Sequence, residues 1–321
     1  MDFSPRRFNR GSILFLALWT VCLLSVFAVT LNYTARAKLS LIKRLDVREN
    51  LSLAAEAGAE RGALSIMKLF ANTSKTVFAL KDLPRDNMFL DQGLSCRWEA
   101  SDEEGKININ TVSPGVLKRF FQAACGIPEM EAQDLASCVI DWRDHDSALA
   151  SASGGAENPY YRNLTYPYEA KDSDFEVLEE LLLVKGMNEE IFRKVKDLLT
   201  VYGTGKVNIN TASSPALLAL GVLPETVDKI MGFRKGKDGL EGSFDDNVFD
   251  DISRAVSRLE TAAVLSPPEK AELTFACENY LETSSGFFSI KSTVILNNGK
   301  GHAEAVSVVD AIGNILHWRQ T

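Results

Sequence analysis

Between Ser12 and Ala35 the chain carries no charged residue, and most positions are Leu, Val, Phe, Ala or Ile. About 20 consecutive apolar residues span a bilayer as one helix. This run therefore commits the chain to a membrane anchor before any soluble fold is considered. The leader before it, MDFSPRRFNRG, holds Arg6, Arg7 and Arg10 and stops at Gly11. Basic residues flanking a first span stay on the inner side, so everything after Ala35 is expected outside. A secretory signal has a shorter apolar run followed by a small-x-small cleavage site. Here the Gly that could be cut lies before the run, and cleavage there would leave the anchor on the mature protein.

That arrangement resembles the precursors of type IV pilin-like proteins, which are cut after a Gly, here Gly11, and then N-methylated, here on Ser12. A signal anchor that is never cut is the plain alternative. The pilin pattern places Glu at the fifth mature position. Counted from Ser12 that position is Leu16, and Ser stands first where Phe or Met is usual.

With 321 residues, the chain has room for one or two soluble domains beyond the anchor. The net charge of −8 argues against non-specific affinity of the whole chain for nucleic acid. Of five cysteines, Cys22 lies in the apolar run. An oxidising compartment would let Cys96, Cys125, Cys138 and Cys277 form two disulfides in any of three connectivities; buried free thiols fit the same positions. The three histidines, His145, His302 and His317, sit in no nucleophile or metal motif. YGTGKV lacks the earlier Gly of a phosphate loop and has Val207 where Ser or Thr is needed. An enzyme is not expected.

No Pro interrupts from Ser12 to Phe70, and Leu39, Ile42, Leu45, Leu53, Ala57 and Leu64 recur near helical spacing. One helix over this span would be roughly 90 Å long. Its first half would lie in lipid, and the small residues of AAEAGAERGA would let a sheet or another helix approach the second half. Asn72–Gly93 reads as a loop with a short strand at TVFAL, and Ser95–Ala100 as a strand. Near the C-terminus FFSIKSTVIL and AEAVSVVDAI alternate around the turn signal NNGKG, a β-hairpin pattern. The expected fold is α+β: a long N-terminal helix on a small antiparallel sheet, with a helical block from about 105 to 283 inserted into it. The divisions are a leader (1–11), a membrane segment (12–35), helix and first strands (36–104), the insertion (105–283) and the last strands (284–321).

The insertion contains a repeat. GKININTVSP begins at Gly105 and GKVNINTASSP at Gly205. Ser113–Pro114 and Ser214–Pro215 are helix-start signals. CGIPE and LGVLPE then each open a second helix, ending at Trp142–Arg143 or Phe233–Arg234. Helix, Gly-centred turn, helix is a helix-hairpin-helix pattern, and LLVKGMNEE supplies a third such turn. These units often bind nucleic-acid phosphates, and they also serve as packing modules. The turns here carry Glu129, Glu189, Glu190 and Glu225, and lack the second Gly that would bring backbone close to phosphate. Arg234, Lys235 and Lys237 form only a small basic cluster.

Between the copies Asp141, Asp144, Asp146, Glu157, Glu169, Asp172 and Asp174 crowd a Gly-containing segment. Carboxylates on a flexible loop are the oxygen donors Ca²⁺ takes, though the EF-hand spacing is absent. A solvated acidic loop is the other reading.

Taken together, the leader without a Glu at the fifth position, AAEAGAERGA, DWRDHD…GGAENPYY, LEELLLVKGM, GKVNINTASSPALLALG and SSGFFSI resemble the protein K family of minor pseudopilins (general secretion pathway protein K) of bacterial type II secretion. The resemblance covers nearly the whole chain. It implies a single-pass inner-membrane protein with a periplasmic domain, matured by prepilin peptidase. It would act at the tip of a short pseudopilus with minor pseudopilins I and J, supporting protein export. It also implies structural Ca²⁺ in the helical domain, assigned to Asp141, Asp144, Asp146 and Glu157; Asn158 stands where the family has an acidic residue. Nucleic acid is not expected as a partner. GKVNINTASSPALLALG also resembles membrane-tethered DNA receptors of competence systems, which are shorter and more basic. A minor subunit of a retractile type IV pilus would share the leader but leave the paired NINT repeats unexplained.

Overall fold

The structure is a computed structural model that describes residues 10–71, 77–90, 93–151, 154–296 and 301–320. The leader residues 1–9 lie outside it. Helix α1, Arg10–Ala71, is 62 residues long, about 93 Å at 1.5 Å per residue. Its apolar part reaches a mean hydropathy of 2.5 and none of it is buried, so it is long and apolar enough to cross a membrane. Gly11 and Ser12 fall in its first turn and Leu16 is exposed on its apolar part.

From Leu51 onward the same helix turns one stripe inward: Leu51, Ala55, Ala59, Ala63 and Ile66 are buried at helical spacing. They lie on a five-stranded antiparallel sheet of spatial order β1 (Arg85–Leu90), β2 (Leu94–Asp102), β7 (Phe287–Leu296), β8 (His302–Asp310) and β9 (Ile315–Gln320). The glycines of AAEAGAERGA set the spacing of helix and sheet. A Cβ on Gly58 would overlap Ser292 Oγ, and one on Gly62 would lie 2.5 Å from Ile290 Cγ2 and 3.0 Å from the Trp98 ring. Trp98, Ile290, Val294 and Phe288 complete this first core, closed at the far end by the rings of Phe70, Phe78 and Phe288, whose centroids lie 4.7–6.0 Å apart.

Of the expected strand at TVFAL, Thr76 lies outside the described residues and the described part, Val77–Leu80, forms no strand. Val77–Ala79 join no ladder and Leu80–Asp82 make a 3-10 turn. The reason is local. Phe78 N–H donates to Thr283 O, its ring fills the aromatic end of the core, and Asp82 accepts from Ala79 N–H. The first strand comes five residues later, at RDNMFL.

Between β2 and β7 the chain builds a second core. It holds β3 (Ile107–Asn108), α2 (Pro114–Cys125), α3 (Glu129–Arg143), α4 (Asn158–Arg162), α5 (Glu189–Val195), β4 (Leu199–Thr200), β5 (Val207–Asn208), α6 (Ser214–Ala219), α7 (Pro224–Arg234), α8 (Ala255–Glu260), α9 (Pro267–Asn279) and β6 (Leu281–Glu282). β3 pairs with β4 and β5 with β6, both parallel. The register places this domain in space. Gly58 meets Ser292 and Gly62 meets Ile290, while Asp102 pairs with Phe288. The chain therefore leaves and re-enters the sheet at the end farthest from the apolar half of α1.

The junction is polar and buried. Asp102 accepts from Ser285 Oγ at 2.6 Å, Thr211 Oγ1 at 2.5 Å and Asn208 Nδ2 at 3.2 Å. Glu103 accepts from Thr200 Oγ1, and Glu104 from Gly286 N–H and Thr204 N–H. Three consecutive carboxylates thus tie β2 to three returning segments, around residues 200–204, 208–211 and 285–286.

All described cysteines are free thiols, so the disulfides considered for Cys96, Cys125, Cys138 and Cys277 are absent. Cys96 is buried under α1, beside Ala54 O and Ser292. Cys138 and Cys277 are buried in the other core, with Cys125 against it. They behave as small apolar residues.

Candidate metal centre

The two NINT copies build the frame that carries the acidic loop. In each, the first Asn turns its side-chain oxygen onto the N–H two residues on: Asn108 to Asn110 and Asn208 to Asn210. The second Asn then clamps a distant Phe backbone from both sides. Asn110 donates to Phe175 O and accepts from its N–H; Asn210 does the same to Phe249. Arg143 donates to Ile109 O and Val112 O, and Arg234 to Ile209 O and Ala212 O. Ser113 and Ser213 cap α2 and α6; the second cap is Ser213, one residue before the Ser214 expected.

The copies also face each other. A Cβ on Gly105 would lie 2.7 Å from Thr211 Oγ1, and one on Gly205 would overlap Thr111. The turns after α2 and α6 need glycine, with Gly126 at φ 70° and Gly221 at φ 89°. Arg234 is 3% exposed and pairs with Glu241 at 3.2 Å, so it is unavailable to a phosphate.

The acidic loop begins where α3 ends. Asp141 is fully buried, and both its oxygens are occupied: Oδ1 accepts from Ala150 N–H and Oδ2 from Ala156 N–H, each at 2.7 Å. It pulls the loop back over the helix end. Gly155, at φ 113°, allows this, since a Cβ there would overlap Asp141 Oδ2. The folded-back loop brings Asp144, Asp146 and Glu157 together with ligand oxygens within 4.8 Å of one another. Three of the four expected residues thus converge, and Asp141 positions the loop that carries them.

Asp172 completes the acidic set. Its N–H donates to Trp142 O, its φ is 51°, and its Oδ2 accepts from Asn158 Nδ2 at 3.1 Å. Asn158 Oδ1 accepts from Ala170 N–H, so Asn158 ties the two arms of the loop. Asp172 belonged to the acidic segment but not to the expected ligands. Only its left-handed backbone and its distant partner single it out, and neither can be read in sequence. Glu169 points elsewhere, paired with Arg162 at 2.7 Å.

The electrostatics of this cluster are unfavourable as it stands. Asp144 Oδ1, both Glu157 oxygens and Asp172 Oδ1 are buried without a hydrogen-bond donor. Buried carboxylates are normally paired, hydrogen-bonded or metal-bound. Burial, reinforced by Asp141, Asp144, Asp172 and Asp146, pushes the Glu157 carboxyl up to about 7. Burial followed by the same kind of repulsion also raises Asp144. Orphaned hard oxygens with neither nitrogen nor sulfur among them fit Ca²⁺.

A long apolar helix laid on an antiparallel sheet, with a helical domain spliced between β2 and β7, defines a pilin-like fold with an inserted domain. Within that class, residues 99–204 match the family model described as type II secretion system (T2SS), protein K, and it is this protein that the chain resembles. It is 29% identical over 167 residues to the type II secretion system protein K of Pseudomonas aeruginosa, covering 49% of each chain. It is 34% identical over 87 residues to that of Aeromonas hydrophila, covering 26% of each. The chain thus spans about half the length of the first of these relatives and about a quarter of the second. The fold is shared with one chain in the crystal structure of the GspK-GspI-GspJ complex of enterotoxigenic Escherichia coli, at a TM-score of 0.65 and 18% identity, over 87% of this chain and 99% of that one.

Proposed function

We propose that the chain is a minor pseudopilin at the tip of the type II secretion pseudopilus, anchored in the inner membrane with its domains in the periplasm. The observation that carries this reading is the division of α1. One half is bare and apolar, the other is sealed onto a sheet, and the inserted domain sits at the membrane-distal end. That domain crowns the subunit where another would otherwise stack. A neighbour's carboxylate would have to balance the charged N-terminus left in lipid by cleavage at Gly11–Ser12. Leu16 offers none to any other subunit, which suits an end position.

The partners assigned are minor pseudopilins I and J, by analogy with the complex whose fold the chain shares, and prepilin peptidase for maturation. The bound ion is Ca²⁺, which would cross-link the loop between α3 and α4. Asp144, Asp146 and Glu157 supply ligands, with Asp172 beside them, Asp141 holding the backbone and Asn158 tying its arms. The ion's role is structural, and no catalytic step is assigned to any residue.

Intact mass and N-terminal peptide analysis of the protein extracted from its native membrane tests the reading. A mature chain beginning at a methylated Ser12 and co-purifying with two small pseudopilins is the expected result. A chain retaining MDFSPRRFNRG would sink it.

A further inference from the structure

The face of α1 that packs on the sheet does not stop where the sheet stops. Arg44, Val47 and Arg48 continue the spacing of Leu51 and Ala55 toward the membrane. There α1 and the ends of β7, β8 and β9 enclose an open groove of about 670 Å³. Its floor is apolar, formed by Val47, Leu51, Leu296 and Ala303, and its rim carries Lys43, Arg44, Arg48 and His302, with no Asp or Glu among the described lining residues. Among the described residues no carboxylate pairs with Lys43, Arg44 or Arg48, although exposed cations elsewhere do pair, as Arg61 does with Asp86 and Arg319 with Glu179. Unpaired cations occur elsewhere on the surface, but here three of them, Lys43, Arg44 and Arg48, converge with His302 on the rim of one apolar groove.

We propose that this groove seats a carboxylate-bearing amphipathic segment of the next subunit below in the filament, its acidic side chains on the rim and its apolar ones on the floor. The proposal rests on the pseudopilin reading above and adds which surface is used and what chemistry it takes. Position favours a protein occupant over a lipid headgroup. The apolar run ends at Ala35, and Lys43 lies eight residues further on, about 12 Å along the helix. Headgroups extend only roughly 5–8 Å beyond the hydrocarbon core. Direction favours a subunit below. The groove lies at the membrane-proximal end of the sheet, opposite the inserted domain, on the side from which later subunits would join. Unpaired exposed cations also raise the local concentration of an acidic partner before contact, over a screening length of about 8 Å at physiological salt.

The test uses the full-length chain in its native membrane with its pseudopilins present, and a benzophenone amino acid as photo-crosslinker in place of Val47. The expected product is a crosslink to a minor pseudopilin peptide containing Asp or Glu. Its yield should fall about tenfold or more in the Arg44→Glu/Arg48→Glu double variant. The control Arg97→Glu, on the outer face of the sheet, should leave it unchanged. Arg44 and Arg48 are exposed, so the double variant has no core contact to lose. The proposal is overturned, with the pseudopilin reading intact, if pseudopilins co-purify but Val47 crosslinks only to lipid, or only to a peptide without acidic residues, or with a yield insensitive to charge reversal. Absence of any co-purifying pseudopilin overturns both.

Discussion

At the scale of single residues the chain is governed by where its buried carboxylates find donors. Asp141 finds two backbone N–H groups; Asp144, Glu157 and Asp172 leave four buried oxygens with none. A cation held there should stabilise the fold by about 2.7 kcal/mol at a concentration 100 times its dissociation constant. The Asp144→Asn/Glu157→Gln variant should lose that Ca²⁺-dependent rise in melting temperature. With chelator present it should melt no lower than the parent, because like-charge repulsion has been removed. Scanning calorimetry with and without chelator reads both effects; a retained Ca²⁺ shift would remove these residues from the site.

Asp102 is the opposite case, buried with donors on every side. Burial outweighs the hydrogen bonds from Ser285, Thr211 and the Glu104 backbone and pushes its carboxyl up to about 6. A raised acid favours the protonated folded state. Its contribution is therefore full below about 4 and lost as pH rises through about 6. Urea midpoints should show this downward slope between pH 4 and 6 in the parent. The slope should be missing in Asp102→Asn, which should also be destabilised by about 1–3 kcal/mol through its stranded donors. Equal slopes in the two proteins would assign the pH dependence to other groups.

At the scale of elements, α1 against the sheet decides between two opposing effects. Replacing an exposed helical Gly by Ala gains about 1 kcal/mol. At Gly62 the new methyl would press on Ile290 and Trp98, and overpacking costs about 1–3 kcal/mol. Gly62→Ala should therefore lower stability, and Gly62→Val more so, visible as falling guanidinium midpoints; a gain would mean the helix can lift off the sheet freely. The helix and the C-terminal hairpin were legible because their periodicities, near 3.6 in one and alternation in the other, persist over many residues. The repeat was legible because NINT recurs with the same flanking Gly, Ser and Pro. Its purpose was not: Asn110 and Asn210 reach Phe175 and Phe249, across 65 and 39 residues that no local pattern spans. RDNMFL was hidden too, since its strand identity comes from lying beside β2 rather than from its composition. The metal loop stood between these extremes. Its acidic residues were visible, but which of them converge depends on the fold-back that Asp141 and Gly155 impose.

At the scale of the whole molecule, the sheet and the insertion meet through one short junction. Because Asp102 pairs with Phe288, a tight hairpin turn replacing residues 103–286 should leave β2 and β7 in register. The shortened chain should keep α1 and the five-stranded sheet, as judged by circular dichroism and protection of the β2 and β7 amides. If the insertion acts as the cap proposed above, pseudopili assembled with the shortened chain should be longer by electron microscopy. Filaments of unchanged length would remove the insertion from any capping role.

The pairing of β2 with β7 also sets a timetable. Residue 102 is synthesised long before residue 288, and the partner of β2 does not exist until nearly the whole chain has been made. During that interval the first two strands must wait with an unpaired edge, while the inserted domain, whose own core needs only residues between 107 and 281, can finish first. The sheet then closes as a last act around a body already formed, at the slow pace of a long-range contact. A chain that completes its sheet only once its tail is made is vulnerable to aggregation or to a protease until then, and largely protected afterwards.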